Sequence, residues 1–239
     1  MNKLQLTIKL IEEMPIYFSY EAIREELKSR TSMENSTLQT YLSREIAAKR
    51  LSDAGKGWYS KIKQKFILDT KPLGQVFEIL NQAFPLLEFS CWSTEQINSF
   101  THHMLGKHIL FVYVDTDAIN SVHEILLDNG YNSYANPGKS EIEKIFRIAE
   151  KTVIIRPSVA KQPKSMNDVS PIEKILVDLF FENRKLNIMS PSEVELVIEN
   201  ALKSGTINLS SMLSYISRRE MDIEAIIKDI RIIKKSGDV

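Results

Sequence analysis

The stretch STLQTYLSREIAAKRLSDAGKGWYSKI, residues 36–62, decides the predicted fold of the N-terminal part of this chain. It opens with a capping box, because Ser36 and Gln39 are spaced so that each side chain can bond the other's backbone amide, and this predicts a helix start. After that helix, an aspartate and two glycines separate apolar segments, which predicts a hairpin turn and a strand at Trp58–Ile62. A tryptophan beside a hairpin usually buries its ring, so we expect Trp58 to pack under the turn.

Two helices are predicted upstream of this stretch. In the first, Leu4, Ile8 and Ile11 share one helical face, and Pro15 ends the helix. In the second, Ser19 can cap a short amphipathic helix. Three helices followed by a basic hairpin predict a winged helix-turn-helix, in which the third helix enters the major groove of DNA while hairpin lysines contact the backbone.

The charge distribution favours the same interpretation. The chain carries 31 Lys and Arg against 31 Asp and Glu, yet residues 1–68 hold 12 basic and 8 acidic side chains, so the remainder carries a net charge of −4. Between Arg44 and Lys65 there are seven basic side chains and only two acidic ones. Such clustering is typical of a surface that binds phosphate, although a solvated charged face gives the same count. The predicted helix and hairpin favour duplex DNA.

The candidate DNA-binding residues lie on the polar face of the third helix and in the hairpin. They are Thr37, Thr40, Ser43, Arg44 and Arg50 on the helix, and Lys56, Lys61 and Lys63 in the hairpin. Two alternatives remain open at this point. The segment can be a winged helix used only for protein contacts, or a three-helix unit in which Gly-Lys-Gly is a plain loop.

We predict a second domain over residues 70–239, following a DNA-binding domain over residues 1–69, and expect it to fold alone. Apolar segments alternate with helical ones, which is typical of an α/β domain with a short sheet of about four strands, parallel or mixed. The overall class is therefore α/β, or α+β for the whole chain. The predicted strands are Leu86–Trp92, His108–Val114, Tyr131–Ala135 and Thr152–Arg156, and the predicted helices between them include Thr94–Leu105, Ala118–Asn129 and Ser140–Ala149.

Beyond Pro157 the pattern is helical. Ser170 and Ser190 each precede a proline and stand three residues before a glutamate, which predicts two capped helix starts. A further helix begins at Asn208 or Ser210, and a last one is predicted over Ile223–Ile233.

Catalytic and metal-binding patterns are weak. The histidines 102, 103 and 108 lack further ligands at helical spacing. Asp115 and Asp117 follow a predicted strand, as the Mg²⁺-binding carboxylates of phosphotransfer enzymes do, but helix capping explains them equally well. We predict that the protein is not an enzyme and needs no cofactor or metal. An enzyme acting on nucleotides or nucleic acid through Asp115 and Asp117 is the alternative.

The cellular compartment follows from two absences in the sequence. The single cysteine, Cys91, cannot form an internal disulfide, which favours a reducing compartment. No apolar run approaches the roughly 18 residues of a membrane span. We expect a cytoplasmic protein with no membrane partner.

The chain resembles the AbiEi-type antitoxins of bacterial type IV toxin–antitoxin systems over nearly its whole length. The stretches that carry the resemblance are Tyr41-Leu42-Ser43-Arg44, Gly55-Lys56-Gly57-Trp58-Tyr59, Cys91-Trp92-Ser93-Thr94-Glu95, Ile155-Arg156-Pro157, Ser170-Pro171-Ile172-Glu173-Lys174-Ile175-Leu176-Val177-Asp178 and Tyr215-Ile216-Ser217-Arg218-Arg219.

The resemblance implies a transcriptional autorepressor that binds repeats in its own promoter and counteracts a nucleotidyltransferase-like toxin without requiring a stable complex with it. It transfers a DNA-binding role to Thr40, Ser43, Arg44 and the hairpin lysines. For contact with the toxin we single out Arg218 and Arg219, since paired arginines on a helix seldom both point inward. Structural ion pairs of these arginines with Glu220 or Asp222 are the alternative.

Overall fold

The computed structural model of the chain describes residues 2–62, 67–103, 105–165, 167–227 and 233–234. The chain divides into two compact units. Unit 1 comprises Met1–Phe66 together with Ile198–Val239, and unit 2 comprises Ile67–Val197. The first junction lies close to the predicted boundary at residue 69, but the structure assigns the last 42 residues to the N-terminal unit. Overall the fold is a mixed α/β one with two small sheets.

The N-terminal part of unit 1 alternates helices with short strands. In chain order it contains α1 (Lys3–Glu13), β1 (Tyr17–Ser19), α2 (Tyr20–Lys28), α3 (Asn35–Ala47), β2 (Ser52–Asp53) and β3 (Trp58–Ser60). Strands β2, β3 and β1 form an antiparallel sheet in that order. The helices bury one apolar face each, and Leu10, Ile23, Leu27, Leu38 and Leu42 belong to their common core.

The helix starts follow the sequence prediction in one case and depart from it in another. Ser19 caps α2, because its side chain accepts a hydrogen bond from the Ala22 amide. The predicted capping box at Ser36 is wrong. Helix α3 begins two residues earlier than this capping box predicts, with Glu34 at the N-cap position and no side-chain capping bond. Ser36 already lies inside the first turn, where its side chain cannot reach the amide of Gln39 as an N-cap would.

The C-terminal part of unit 1 contains α9 (Leu209–Arg218), α10 (Ile223–Ile226) and β8 (Ile233–Lys234), and the boundary between the units falls within α8 (Pro191–Lys203). Asn208 caps α9 by accepting from the Ser211 amide. Strand β8 pairs in parallel with β1. The predicted helix Ile223–Ile233 ends at Ile226, and its predicted last residue, Ile233, pairs with Tyr17 as a strand residue. Residues 228–232 of this prediction lie outside the described residues.

Hydrogen bonds explain why the C-terminal segment belongs to unit 1. The Ser60 hydroxyl donates to the Gly205 carbonyl over 2.8 Å, and the Tyr17 hydroxyl accepts from the Ile207 amide over 3.1 Å. Both Ser60 and Tyr17 are fully buried. Since buried polar groups need partners, β3 depends on a residue 145 positions away in the chain and β1 on one 190 positions away.

Unit 2 is built on a four-stranded mixed sheet. The strands are β4 (Phe89–Ser93), β5 (Ile109–Val114), β6 (Asn132–Ala135) and β7 (Thr152–Pro157), in the order β4-β5-β7-β6. Strand β4 is antiparallel to β5, whereas β5, β7 and β6 are mutually parallel. The unit also contains α4 (Gly74–Ala83), α5 (Ile119–Asp128), α6 (Lys139–Lys144) and α7 (Ile172–Leu186). The sheet is thus mixed, the alternative that the sequence left open.

Two predicted helices of unit 2 are much shorter than expected. In place of Thr94–Leu105 there is only a 3-10 turn, Thr94–Ile97, although the predicted capping box of Ser93 and Gln96 is present. Two tertiary hydrogen bonds hold the turn. The Thr94 hydroxyl accepts from the backbone amide of Ile109, and the side-chain amide of Gln96 donates to the backbone carbonyl of Asp69. The helix predicted to reach residue 149 ends at Lys144.

The two predicted serine caps have different outcomes. Ser190 accepts a hydrogen bond from the Glu193 amide over 3.2 Å, as expected. Ser170 does not cap α7, because Pro171 takes the N-cap position. The Ser170 amide instead donates to the Cys91 carbonyl, which ties this residue to the edge of β4.

Helix α7 carries charged side chains into the core of unit 2. Lys174 and Asp178 form an ion pair of 2.5 Å with both side chains fully buried, and the Lys174 ammonium lies 3.2 Å from the ring centroid of Tyr113. One turn further, Glu182 pairs with Arg156 of β7 over 2.7 Å, and both are almost completely buried. Buried charges need such partners, so these pairs fix α7 against the sheet.

Candidate nucleic-acid interface

Helix α3 presents a polar face to solvent. Leu38, Leu42 and Glu45 are buried on one side. On the other side Thr40, Ser43 and Arg44 are exposed, whereas Thr37 is half-buried. The Thr40 hydroxyl donates to the Ser36 carbonyl over 2.8 Å. Three of the predicted contact residues therefore share one accessible surface, as the helical spacing indicated.

Arg50 lies beyond the helix rather than on it. Helix α3 ends at Ala47, and the Arg50 guanidinium reaches back to Glu45, with Nε 2.5 Å from one carboxylate oxygen and an Nη 2.7 Å from the other. This hydrogen bond from Arg50 is the main cause that lowers the pKa of the Glu45 carboxyl and raises the pKa of the arginine. Arg50 thus ties the residues after α3 back to the helix through Glu45, a partner that the sequence analysis did not foresee.

The predicted hairpin is present and places one lysine at its turn. The Asp53 carboxylate accepts from the Gly55 amide over 2.8 Å, and the Trp58 amide donates to the Gly55 carbonyl over 2.9 Å. Gly55 and Gly57 have φ angles of +97° and +75°, which favour glycine in this turn. Lys56 between them is exposed. Strand β3 ends at Ser60, two residues earlier than expected.

The aromatic residues of the hairpin differ from the prediction. Trp58 is only half-buried. The ring that packs on the core is that of Tyr59, which stacks on Phe18 with a centroid distance of 5.6 Å. Because side chains alternate along a strand, Tyr59 faces the core and its neighbour Trp58 faces away.

One side of the hairpin turn is covered by the C-terminal segment of the same unit. The Ser210 amide donates to the Ala54 carbonyl over 3.2 Å. A Cβ atom at Gly55 would lie 2.2 Å from the Asn208 side-chain oxygen and 2.6 Å from the Ser210 Cβ. Gly57 has open space around it. The turn is therefore supported from one side while Lys56 stays accessible.

The other two predicted hairpin lysines, Lys61 and Lys63, do not add an exposed, described charge beside Lys56. The Lys61 ammonium donates to the Glu12 carbonyl of α1 over 3.1 Å. Its side chain is half-buried, and burial lowers the pKa of Lys61 even though the charge of Glu12 opposes this. Lys63 lies outside the described residues.

Arg218 and Arg219 stand at the end of α9, in unit 1. Arg218 is exposed. The Arg219 Nε donates to the Tyr215 hydroxyl over 3.1 Å, and its guanidinium lies 5.4 Å from the centroid of that ring. Tyr215 is a partner that neither sequence interpretation named. The two arginines thus belong to unit 1, together with α3, and not to unit 2.

A family model described as a family of unknown function (DUF6577) matches residues 37–233. The chain belongs to this family. No curated protein matches the chain. The DUF6577 match begins at Thr37 inside α3 and ends at Ile233 in β8, so it includes the exposed residues of α3, the hairpin and the whole of unit 2.

The charges of this DUF6577 protein separate more sharply by unit than by position in the sequence. Unit 1 carries 19 Lys and Arg against 14 Asp and Glu, a net charge of +5, and unit 2 carries 12 against 17, a net charge of −5. The C-terminal segment, residues 198–239, adds net positive charge to unit 1, whereas the sequence analysis had counted its charges with the acidic C-terminal part of the chain.

The two aspartates of the alternative interpretation lie in unit 2 and have different surroundings. Asp115 follows β5 and lines a cavity, and its side chain makes no capping bond to the turn Thr116–Ala118. Asp117 lies in that turn, and the cavity lining among the described residues does not include it. Within the described part of the chain, no group of three or more His, Cys, Asp or Glu side chains is placed to hold a metal ion. No helix in the same residues is long and apolar enough to cross a membrane.

Proposed function

We propose that unit 1 binds duplex DNA through α3 and the β2–β3 hairpin. The observation that carries this proposal is the exposed face formed by Thr40, Ser43 and Arg44, directly followed by a hairpin with the exposed Lys56 at its turn. The proposal includes a winged helix-turn-helix in unit 1, and the element order α1-β1-α2-α3-β2-β3 with the strand order β2-β3-β1 supports it. The net charge of +5 supports attraction to phosphate.

The exposed residues suit different parts of the duplex. In the proposed complex α3 lies in the major groove, where the Arg44 guanidinium can donate two hydrogen bonds to a guanine and the hydroxyls of Thr40 and Ser43 can bond base edges or phosphates. Lys56 contacts the backbone beside the groove. Arg50 and Lys61 contribute less, because Arg50 already donates to the Glu45 carboxylate and Lys61 to the Glu12 carbonyl.

For the cellular role we propose a cytoplasmic transcriptional autorepressor and antitoxin. The support is the resemblance to AbiEi-type antitoxins, which implies promoter repeats as the DNA site and a nucleotidyltransferase-like toxin as the functional partner. The proposed activity is binding, and it requires no catalytic residue, cofactor or metal.

Fluorescence anisotropy with the full-length protein and duplex from the region upstream of its own gene tests DNA binding. If about four to six phosphates are neutralised, the logarithm of the affinity should fall against the logarithm of salt concentration with a slope of about −4 to −5. Arg44→Ala should cost about 1–3 kcal/mol and relax sequence preference. Lys56→Ala should weaken binding to all sequences alike and reduce the slope by about 1.

Lys144→Ala, a charge removed from the exposed surface of α6 in unit 2, is the matched control and should leave affinity and salt slope unchanged. Absence of binding at low salt would contradict the proposal. An equal loss of affinity in Lys56→Ala and Lys144→Ala would contradict it too, because binding would then follow the charge of the whole protein and not the surface of α3 and the hairpin.

A further inference from the structure

Unit 2 contains a cavity of about 640 Å³ at one end of the strands of its sheet. Asp115 directly follows β5 and Ser158 directly follows β7, and both line the cavity. Phe89, the first residue of the antiparallel strand β4, lines it at the same end. The cavity therefore lies at the carboxyl ends of the two central parallel strands.

The chain leaves these two strands in opposite directions. From β5 it passes through α5 to β6, on the far side of β7. From β7 it crosses to the other side and pairs Val169 with Cys91 of β4, where the Cys91 amide donates to the Asp168 carbonyl over 2.8 Å. Open α/β sheets bind their ligands outside the carboxyl ends of their parallel strands, which is where this cavity lies.

Residues 158–165 and Asp168 of the crossing segment supply most of the cavity wall. They include two cations, Lys161 and Lys164, and the carboxylate-bearing Asp115 lines the same cavity. Leu87 and Pro163 add apolar surface. The volume is in the range of small-molecule sites, roughly 300–1,000 Å³, and apolar walls with a few polar groups are typical of them.

Two residues of this wall have an uncommon backbone conformation. Lys161 and Asp168 have φ angles of +54° and +62°, in the left-handed region that few residues other than glycine adopt. Burial also raises the pKa of the Asp168 carboxyl, consistent with its position in the cavity wall.

We propose that this cavity binds a nucleoside monophosphate. Lys161 and Lys164 hold the phosphate, the Asp115 carboxylate accepts from the ribose hydroxyls, and Leu87 and Pro163 cover a face of the base. This site is separate from the DNA-binding residues, so either proposal can fail without the other.

Isothermal titration calorimetry on the full-length protein tests the site with AMP, GMP, CMP, UMP, ribose 5-phosphate and inorganic phosphate. We expect at least one nucleotide to bind at least tenfold more tightly than ribose 5-phosphate, because only the nucleotide carries the base. Inorganic phosphate should bind more weakly still. Equal affinity for ribose 5-phosphate and all four nucleotides would overturn the assignment of a base site, and no binding by any nucleotide would overturn the proposal.

Variants locate the binding. Asp115→Asn should weaken nucleotide binding at least fivefold, whereas Asp117→Asn, two residues along the same turn, should leave it unchanged. Lys164→Ala should weaken the binding of nucleotides and of ribose 5-phosphate alike, at least fivefold, because both carry the phosphate that this lysine holds. An equal effect of the two aspartate variants, or unchanged binding in Lys164→Ala, would overturn the site.

Discussion

At the residue scale, the ion pair between Glu45 and Arg50 determines whether this arginine serves folding or DNA contact. Glu45 is buried on the inner side of α3, and its two carboxylate oxygens accept hydrogen bonds from the Nε and one Nη of Arg50. An ionised carboxylate in that position needs its partner, because burying an unpaired charge is costly. Arg50 therefore stabilises the end of α3, and we expect its main role to be in folding rather than in DNA contact.

Arg50→Ala should destabilise the protein in a pH-dependent way. The arginine lowers the pKa of Glu45 below its ordinary value of 4.5, so the pair stabilises the fold above that value and loses its contribution as the pH falls through the lowered pKa. The difference in unfolding free energy between wild type and variant should be constant above about pH 5.5 and shrink below about pH 4.5. Urea denaturation at pH 7, 5.5 and 4 measures it.

Lys49→Ala removes the neighbouring exposed charge and is the control, since its stability difference should be small at every pH. If Arg50→Ala destabilised equally at pH 7 and pH 4, ionisation of Glu45 would not be the cause.

At the scale of elements, the hairpin depends on a segment far away in the sequence. Gly55 and Gly57 stand in the same turn and both have positive φ angles, but only Gly55 lies against residues 208–210. Comparing the two glycines therefore separates the backbone requirement of the turn from its packing on the start of α9.

Gly55→Ala should destabilise unit 1 more than Gly57→Ala. Either alanine adds strain of about 1–2 kcal/mol from the left-handed backbone. At Gly55 the new Cβ also overlaps Asn208 and Ser210, and overpacking of this kind costs about 1–3 kcal/mol more. Thermal unfolding of the two variants measures the difference. Equal melting temperatures would mean that the turn does not pack on α9.

At the scale of the whole molecule, the compact units do not follow the order of the chain. Unit 1 is assembled from both ends of the sequence, and unit 2 is inserted between them. A fragment of residues 70–239 would keep β8 but lose β1, with which β8 pairs. The independent domain expected from the sequence therefore contains a segment whose partners lie in the first 66 residues.

Deletion of residues 204–239 should loosen unit 1 selectively. The deletion removes the Gly205 and Ile207 partners of Ser60 and Tyr17, so amides of β1 and β3 should exchange with deuterium at least tenfold faster. Amides of β5 and β7 in unit 2 are the internal control and should keep their protection. Hydrogen exchange with mass spectrometry measures both. Unchanged protection in β1 and β3 would show that residues 1–66 form a unit alone.

Local patterns in the sequence were sufficient for the elements whose cause is local. The cap at Ser19, the cap at Ser190, the hairpin turn at Gly55 and the exposed face of α3 all follow from groups within a few residues of one another. The spacing of apolar residues likewise predicted the four strands of unit 2 and the mixed α/β class.

Only the tertiary structure decided which segments share a core and which charges are free. The helix expected after Ser93 is limited to one turn by bonds to Asp69 and Ile109. The last predicted helix ends at Ile226, and Ile233 pairs with Tyr17 as a strand residue. The sequence predicted Arg50 and Lys61 as DNA contacts, but in the structure each donates to a group of its own unit, the Glu45 carboxylate and the Glu12 carbonyl. The cavity beside Asp115 also depends on the direction in which the chain leaves β7. These features arise from contacts between residues distant in the chain, and no local spacing of residue types records such contacts.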